Sequence, residues 1–409
     1  MKVLALLALI IAASLLSFPS HSISHQPSDS ITVTLGSPEI VMDYSLDTCR
    51  RANGLDLPDI QARAVRSPIN ESIILISGNA PANYTMTGPD FDHLERDCTA
   101  VLHAGDSPLA YTFDNQEWIL SVYREKKTIH ALVHNEYHDP QAEGCKVGDT
   151  SPANPCWYNG ITYAVSIDAG QTFTQPPAPH HVVAALPIPW QAPSTGNQRG
   201  NSLNPHGYFT PTNIVSKDGY YYSMFFAIPL PDEPAARGTC LMRTDNLSDP
   251  QSWRAWDGND FTITMPSPYD TQGNPAPTGK PHCSFVSPET ISDLNGSLTF
   301  NSYLGKYILV GSGVSSVNRA LTCGTYFALS DNLINWSKPQ LMMAGKLPYP
   351  PCSTDGNPNG SIIYPSLIDH KDTSINFVNT GQTFYLYYVL WNDGLDRDLI
   401  RISVKLGKD

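Results

Sequence analysis

Three short segments with the same order of residue types recur along the chain at nearly even spacing. They are YAVSIDAGQTF, CLMRTDNLSDPQSW and YFALSDNLINW, each an apolar stretch, then Ser or Thr with Asp, a turn and an aromatic residue. The final aromatic residues Phe173, Trp253 and Trp336 lie 80 and 83 residues apart. Even spacing on this scale predicts a repeat architecture, in which one supersecondary unit is used several times.

The first segment predicts a strand that ends in a tight turn. Tyr, Val and Ile alternate with smaller residues through Tyr163–Ile167, as in a strand, and Asp168–Gly170 follows as the turn. An Asp or Ser side chain can bond backbone amides two residues further on, and Gly accepts the positive φ that such a turn needs. We expect Phe173 to fold back under the turn as an apolar plug.

A second pattern supports the repeat. Five stretches that each read as strand, polar turn and aromatic-rich strand begin near residues 60, 110, 210, 295 and 375, which gives units of about 75–80 residues. The chain also has 35 Pro, 28 Gly and 20 Tyr, a composition typical of all-β folds with many loops. We therefore predict an all-β fold, a five-bladed β-propeller of four-stranded antiparallel sheets, whose closure protects the sheet edges.

The first residues predict export. One Lys precedes the apolar run Val3–Phe18, and small residues follow, as in a secretory signal peptide. We predict a signal peptide over 1–24, one propeller domain over 25–409, and a secreted protein, extracellular or periplasmic. All eight Cys follow the signal, and an even count in an exported chain favours disulfides. Cys145–Cys156 is the expected local pair, and six N-x-S/T sequons are compatible with glycosylation.

The segments resemble known carbohydrate-active propellers. SIDAGQTF resembles the Asp-box of sialidases, and SDNLINW with YLGKYILV resembles glycoside hydrolase family 43 and its levanase and invertase relatives. The resemblance implies an Asp-box on the outer rim, so Asp168 is not expected to be catalytic. It also implies a glycoside hydrolase acting on a poly- or oligosaccharide, with no required cofactor, although some relatives hold calcium in the tunnel.

The overall charge restricts the partners. A net charge of −13 argues against nucleic acid or anionic membranes. We expect a monomer whose partner is its carbohydrate substrate.

Cleavage of a glycosidic bond normally needs two carboxyl groups, one protonated and one ionised. A propeller binds ligands over its axis, where the first strands begin, and this topology selects as catalytic candidates Asp59, Asp106, Glu136 and Glu289. The family 43 pattern implies a base or nucleophile at Asp59 and an acid at Glu289. The middle position of that pattern has no carboxylate in HGYFTPTN, so Glu136 or Asp106 is expected to replace it.

The run HNEYH is the most informative local signal. An apolar strand ends in His134, Glu136 and His138, which a period of two places on one face. Burying such a cluster is costly, which favours a function such as holding a sugar or a divalent ion. No metal ligands are assigned. The predicted substrate-binding residues are Arg63, His134, His138, Asn213, Arg243 and Tyr364.

Two other functions stay open. A polysaccharide lyase would use a pair such as His138 and Tyr364 to remove the proton beside a uronate carboxylate. A non-catalytic carbohydrate-binding propeller is the third hypothesis, because the fold serves binding as readily as catalysis. Ordinary structural roles are also open: turn residues at Asp59 and Asp106, a solvated charge at Glu289, and ion pairs at Arg63 and Arg243.

Overall fold

The computed structural model describes residues 31–49, 56–78, 81–138, 156–191, 205–229, 236–279, 281–317 and 320–408. These residues form an all-β structure in which the α-helices are two four-residue turns. The strands are β1 (Ile31–Met42), β2 (Arg63–Arg66), β3 (Ile73–Ile76), β4 (Ala82–Gly88), β5 (Glu95–His103), β6 (Gln116–Glu125), β7 (Thr128–His138), β8 (Trp157–Ser166), β9 (Val182–Ala184), β10 (His206–Phe209), β11 (Val215–Lys217), β12 (Tyr220–Ile228), β13 (Gly238–Thr244), β14 (Arg254–Trp256), β15 (Phe261–Ile263), β16 (Ser297–Asn301), β17 (Lys306–Val317), β18 (Ala320–Ser330), β19 (Gln340–Ala344), β20 (Ser361–Ile368), β21 (Asn379–Thr380), β22 (Thr383–Asp393) and β23 (Asp396–Lys408). The helices are α1 (Tyr44–Asp47) and α2 (Pro288–Ile291).

The strands form four hydrogen-bonded sheets, three of which have four or five strands. Their orders are β2-β3-β4-β5, then β19-β18-β17-β16-β21, then β1-β23-β22-β20. Within each sheet, strands that follow one another along the chain pair antiparallel. Each of these sheets is therefore formed mainly by strands that are neighbours along the chain.

The remaining sheet has ten strands and consists of two antiparallel groups, β6–β9 and β10–β15. The groups are joined by a short parallel pairing of β10 with β8, His206 opposite Tyr158 and Gly207 opposite Asn159. Gly207 has φ of +128°, and a Cβ there would meet backbone atoms of Asn159. Only glycine fits this close approach of two backbones.

The first described strand closes the structure by pairing with the last. β1 lies antiparallel to β23, from Ile31 opposite Lys408 to Met42 opposite Leu399. This pairing covers the edge of the C-terminal sheet, which would otherwise present unpaired backbone groups.

Strands from successive groups contact one another around a common centre. β2 contacts both β6 and β20, and β16 contacts both β11 and β20. Arg63 of β2 crosses this centre: its Nε donates to the Leu120 carbonyl at 2.8 Å, and a terminal nitrogen donates to the Gly296 carbonyl at 2.7 Å. The predicted arrangement of sheets around one axis agrees with these contacts.

Apolar side chains fill the spaces between neighbouring sheets. One cluster includes Ile74 and Val101 of the first sheet together with Ile129 and Ala164 of the next group. Burying an Ile or Val side chain contributes about 1.5–3 kcal/mol. The aromatic residues of the repeat belong to these cores, because Phe173, Trp253 and Trp336 are all buried.

The turn after β8 has the side-chain-to-amide hydrogen bonds that the sequence predicts. Ser166 Oγ donates to Asp168 Oδ1 at 2.7 Å and accepts from the Gly170 amide at 2.8 Å. Asp168 also accepts from the amide and hydroxyl of Thr172, at 3.0 and 2.6 Å. Phe173 packs with Ile129 in the core beneath, so the plug prediction is confirmed.

Three disulfides link described cysteines: Cys49–Cys98, Cys240–Cys283 and Cys323–Cys352. In the predicted pair Cys145–Cys156, Cys145 lies outside the described residues, as does the predicted signal peptide 1–24. A search of the described helices for one long and apolar enough to cross a membrane found none.

Candidate functional site

The three polar side chains at the end of β7 lie on one face and bond one another. Glu136 accepts from His134 Nε2 through Oε1 at 2.9 Å and from His138 Nε2 through Oε2 at 3.1 Å. His134 is buried, whereas the side chains of Glu136 and His138 are 15% and 19% exposed. The predicted period-two placement is confirmed, and the cluster opens toward solvent at the His138 end.

Hydrogen bonds fix the proton positions of the buried histidine. The Thr210 amide donates to His134 Nδ1 at 3.3 Å, so His134 must carry its proton on Nε2 and donate it to Glu136. Asn295 holds Thr210 in turn, because its side-chain amide donates to the Thr210 hydroxyl at 2.6 Å. His134 therefore orients Glu136 and has both ring nitrogens occupied.

His138 has a ring nitrogen available for chemistry. Its Nε2 faces the Glu136 carboxylate, and no described residue hydrogen-bonds its Nδ1. When a carboxylate accepts the N–H of one imidazole nitrogen, the proton of the neutral ring stays on that nitrogen. The other nitrogen then keeps its lone pair, as in catalytic triads. The His134–Glu136–His138 chain, which we call the His-Glu-His cluster, thus presents one oriented proton acceptor.

The charge state of Glu136 follows from these contacts. Burial raises the pKa of its carboxyl, but the hydrogen bonds from His134 and His138 lower it by more, so the net pKa lies below the ordinary value. Glu136 is therefore ionised near neutral pH. An ionised carboxylate suits a base or an orienting group and does not suit a general acid.

Aromatic rings surround the cluster. The Trp157 ring lies 5.4 Å from His138 at 35°, and Phe209 lies 6.0 Å from Trp157 at 71°. The Trp118 ring lies 5.7 Å from the His134 ring. Partly exposed faces such as that of Trp157 are surfaces on which sugar rings stack.

Tyr364 approaches the cluster from β20. Burial, and then the negative charge of Glu136, raise the pKa of its hydroxyl well above the ordinary value, so the hydroxyl stays protonated. Tyr364 has φ of +55° at a bulge in the β20–β22 pairing, between Ile363 and Ser366. Such a conformation costs about 1–3 kcal/mol in a non-glycine residue, and bulges commonly re-aim side chains beside active sites.

Asp59 lies at the start of the first sheet and forms a salt bridge with Arg397 of β23. The Arg397 guanidinium stacks on Trp391 at 3.8 Å, and burial lowers its pKa to about 10. Ile60, the next residue, packs on Trp118, which in turn contacts His134. Asp59 is thus connected to the cluster only through Ile60 and Trp118, and its charge is already matched by a guanidinium.

Asp106 is exposed in the loop before β6 and has φ of +51°. It accepts a long hydrogen bond from Asn115 at 3.5 Å, and Asn115 also accepts from the His138 amide at 3.3 Å. Asp106 is therefore a loop residue, and the Asn115 side chain connects it to the backbone of His138.

Glu289 and Arg243 are not brought to the cluster. Glu289 is exposed on α2, whose neighbour Thr290 bonds the carbonyl of Trp336. Arg243 pairs with Asp260 at 3.3 Å and stacks on Tyr220 and Phe261. Gly238 of β13 lies at the end of the sheet where β12 pairs with β10, the strand that begins at His206. Arg243 lies five residues further along β13, roughly 16 Å from that end.

Asn213 and Arg63 have structural partners. Asn213 Oδ1 accepts from the Ser297 hydroxyl at 3.1 Å and the Leu298 amide at 2.8 Å, which ties two groups together. Arg63 is buried, and burial lowers its pKa to about 9. Among the described residues, its guanidinium donates only to main-chain carbonyls. The ion pair left open for Arg63 is not among these contacts.

Sequence reasoning missed three residues of this region. Arg397, Thr210 and Asn295 lack a local pattern that points to them, and only the fold brings them together. A search of the described residues for three or more His, Cys, Asp or Glu that could hold a metal ion found no such group.

No known family profile matches this chain, and no curated protein matches it. Among solved structures, the chain is similar to a Dyadobacter fermentans protein of unknown function (TM-score 0.47, 11% identity, 92% of this chain and 99% of that chain). It is also similar to an α-L-arabinanase from Cellvibrio cellulosa solved with arabinohexaose (TM-score 0.41, 11% identity, 84% of this chain and 91% of that chain). A third similar structure is an α-L-arabinofuranosidase from Lactobacillus brevis (TM-score 0.43, 10% identity, 84% of this chain and 91% of that chain). Likenesses with TM-scores below 0.5 establish neither a family nor an activity.

Proposed function

We propose that the chain is a carbohydrate-active enzyme that breaks glycosidic bonds at the His-Glu-His cluster. The observation that carries the proposal is the double hydrogen bond to Glu136, which orients His138 with a free ring nitrogen beside Trp157. An oriented proton acceptor beside a partly exposed aromatic ring suits chemistry on a sugar.

The proposal includes the finer architecture. We take β2–β5, β6–β9, β10–β15, β16–β19 and the sheet closed by β1 as five blades of one propeller over 25–409. The contacts between successive groups and the central position of Arg63 support this arrangement. Export as a monomer belongs to the same proposal, and the three disulfides support it because such bonds persist in oxidising compartments.

The reaction that these groups fit best is elimination on a uronate-containing polysaccharide. His138 Nδ1 takes the proton from the carbon beside the uronate carboxylate, and that electron pair forms a carbon–carbon double bond. The glycosidic carbon–oxygen bond at the adjacent carbon breaks, and the leaving oxygen takes the Tyr364 hydroxyl proton. Tyr364 suits this role because its raised pKa keeps it protonated.

Hydrolysis by paired carboxylates is the second candidate, because contacts of Ile60 with Trp118 and of Trp118 with His134 connect the region of Asp59 to that of Glu136. None of the carboxylates predicted as catalytic is suited to act as the acid, and Glu117, whose pKa burial raises to about 8, pairs with Asn135 and so lies on the face of the sheet opposite Glu136. Glu136 has a lowered pKa, Asp59 is salt-bridged to Arg397, and Glu289 is exposed on α2. A general acid would instead need a raised pKa.

A panel of neutral and uronate-containing polysaccharides, assayed for new reducing ends, tests the proposed activity. Tyr364→Phe keeps the ring and removes the donor, so we expect turnover to fall about a hundredfold or more while the fold is kept. The matched control Tyr303→Phe, at a tyrosine whose ring contacts Lys408 instead of Tyr364, should retain wild-type turnover. Absence of cleavage across the panel, with sugar binding intact, would favour the non-catalytic hypothesis.

A further inference from the structure

A cavity of about 340 Å³ lies at the end of the sheets opposite the His-Glu-His cluster. In the β6–β7 hairpin, Glu136 pairs with Gln116 at one end and Glu125 pairs with Thr128 at the other. The eight residue steps along the strand from Thr128 to Glu136 correspond to roughly 25 Å. The cavity lining includes Tyr123, Glu125, Lys126, Tyr221, Phe300 and Asn379.

The walls carry aromatic rings from three groups of strands. Tyr123 and Tyr221 meet edge to face with centroids 5.2 Å apart, and Phe300 meets Tyr307 at 5.3 Å. Tyr123, Tyr221 and Phe300 are partly exposed, so their faces are not fully covered by protein. Flat, partly exposed rings around a polar opening are typical of carbohydrate-binding sites.

Polar groups lie between the rings. The Tyr221 hydroxyl donates to Glu125 Oε1 at 2.8 Å, and no described residue bonds the other carboxylate oxygen. Burial and Glu125 raise the pKa of Tyr221 to about 12, so the hydroxyl remains a donor. Such fixed acceptors suit the hydroxyl groups of a ligand.

The charges of the cavity balance. Arg124 is occupied by the Lys126 carbonyl at 2.7 Å, by two further carbonyls, and by Glu71 at 2.9 Å. The remaining charges at the opening are those of Lys126 and Glu125, which cancel. A neutral ligand therefore fits better than an anion, and the volume lies near the lower end of roughly 300–1,000 Å³ for small-molecule sites.

We propose that this cavity is a second, non-catalytic binding site for a neutral saccharide, on the face opposite the His-Glu-His cluster. The site does not depend on the cluster being catalytic, since no residue is shared between the two. Binding there would hold a polysaccharide on the protein while another part of it is cleaved.

The test is titration calorimetry of the Glu136→Gln variant, which is not expected to turn substrate over, with xylohexaose, arabinohexaose and tetragalacturonate. We expect at least one neutral hexasaccharide to bind. Tyr221→Ala should weaken this binding at least tenfold. The matched control Tyr220→Ala removes a neighbouring ring that stacks on Arg243 instead of lining the cavity, and should change the affinity less than twofold.

Three results would overturn the proposal: no binding of either neutral hexasaccharide, binding of tetragalacturonate alone, or equal losses in Tyr221→Ala and Tyr220→Ala. Thermal unfolding checks that each variant is folded. If Tyr221→Ala does not fold, Tyr221→Phe is used in its place, because it keeps the ring and loses the hydrogen bond to Glu125. We then expect the affinity for the neutral hexasaccharide to fall at least threefold. Unchanged affinity would overturn the proposal. Cleavage assays on protein with an intact cluster report separately on the proposed enzyme activity.

Discussion

Glu136 Oε2 accepts a hydrogen bond from His138 Nε2 at 3.1 Å, two residues further along the same strand. Because His134 occupies the other carboxylate oxygen, Glu136 has no freedom to rotate away from His138. A strand that alternates sides every residue therefore delivers both the base and its orienting group to one face.

Replacing this carboxylate should impair turnover much more than substrate binding. In Glu136→Gln an amide NH₂ would face one imidazole N–H, so one histidine must change its tautomer. We expect kcat to fall about a hundredfold or more, with KM changed much less. Steady-state kinetics beside the exposed control Glu95→Gln measure this, and a variant that keeps half of the wild-type kcat would contradict the role of Glu136.

Removing the central guanidinium should destabilise the fold. Arg63→Met leaves the buried carbonyls of Leu120 and Gly296 without their donor, at a cost of about 1–3 kcal/mol for each unsatisfied group. We expect a lower urea midpoint and a loss of several kcal/mol in unfolding free energy. The control Arg254→Met removes carbonyl contacts outside the centre, and an equal loss there would show that Arg63 has no special role.

Glu117 predicts a pH dependence of stability. Burial raises the pKa of its carboxyl to about 8 in the folded chain, and its Oε2 has no hydrogen-bond partner among the described residues. Folding therefore favours the protonated form. The stability contribution is complete below the unfolded pKa of about 4.5 and is lost as pH rises through the folded value of about 8, by roughly 1.4 kcal/mol per pH unit.

Glu117→Gln should remove that dependence. The variant should gain stability relative to the wild type between pH 5 and pH 8, and the difference should be smallest near pH 4. Denaturant unfolding at several pH values measures it, with the exposed Glu95→Gln as control. Parallel pH profiles for Glu117→Gln and the wild type would show that Glu117 titrates normally.

The turn after β8 should matter for stability alone. Asp168→Ala removes the acceptor of the Thr172 amide and hydroxyl and of the Ser166 hydroxyl, so we expect a loss of about 1–3 kcal/mol. Turnover per folded molecule should stay at the wild-type level, because Ser166 pairs with Ile129, at the opposite end of β7 from Glu136. A large fall in kcat with unchanged thermal stability would contradict this assignment.

The features that sequence analysis predicted depend on local pattern. The three buried aromatic residues, the Asp168 turn and the period-two placement of the His-Glu-His cluster follow from spacing alone. The position of Glu289 did not follow from spacing, because its distance from the axis depends on the path of the connection before β16. Arg243 was also misplaced, since a strand pattern does not state which end of the sheet a residue occupies.

Partners far apart along the chain were beyond prediction. Asp59 pairs with Arg397, 338 residues later, and Thr210 positions His134 across the junction of β8 and β10. Tyr364 could be selected as a candidate, but its positive φ depends on the bulge in β20. These contacts depend on how the sheets are arranged in space, which local periodicity does not specify.

The most direct test of the central claim follows the products of cleavage of a uronate-containing polysaccharide by ultraviolet absorbance and by reducing-end assay together. Elimination through His138 predicts that absorbance from the new double bond rises in step with reducing ends. Both signals should disappear in His138→Ala and persist in His93→Ala, an exposed histidine held by Asp90. Reducing ends without absorbance, unaffected by His138→Ala, would contradict the account.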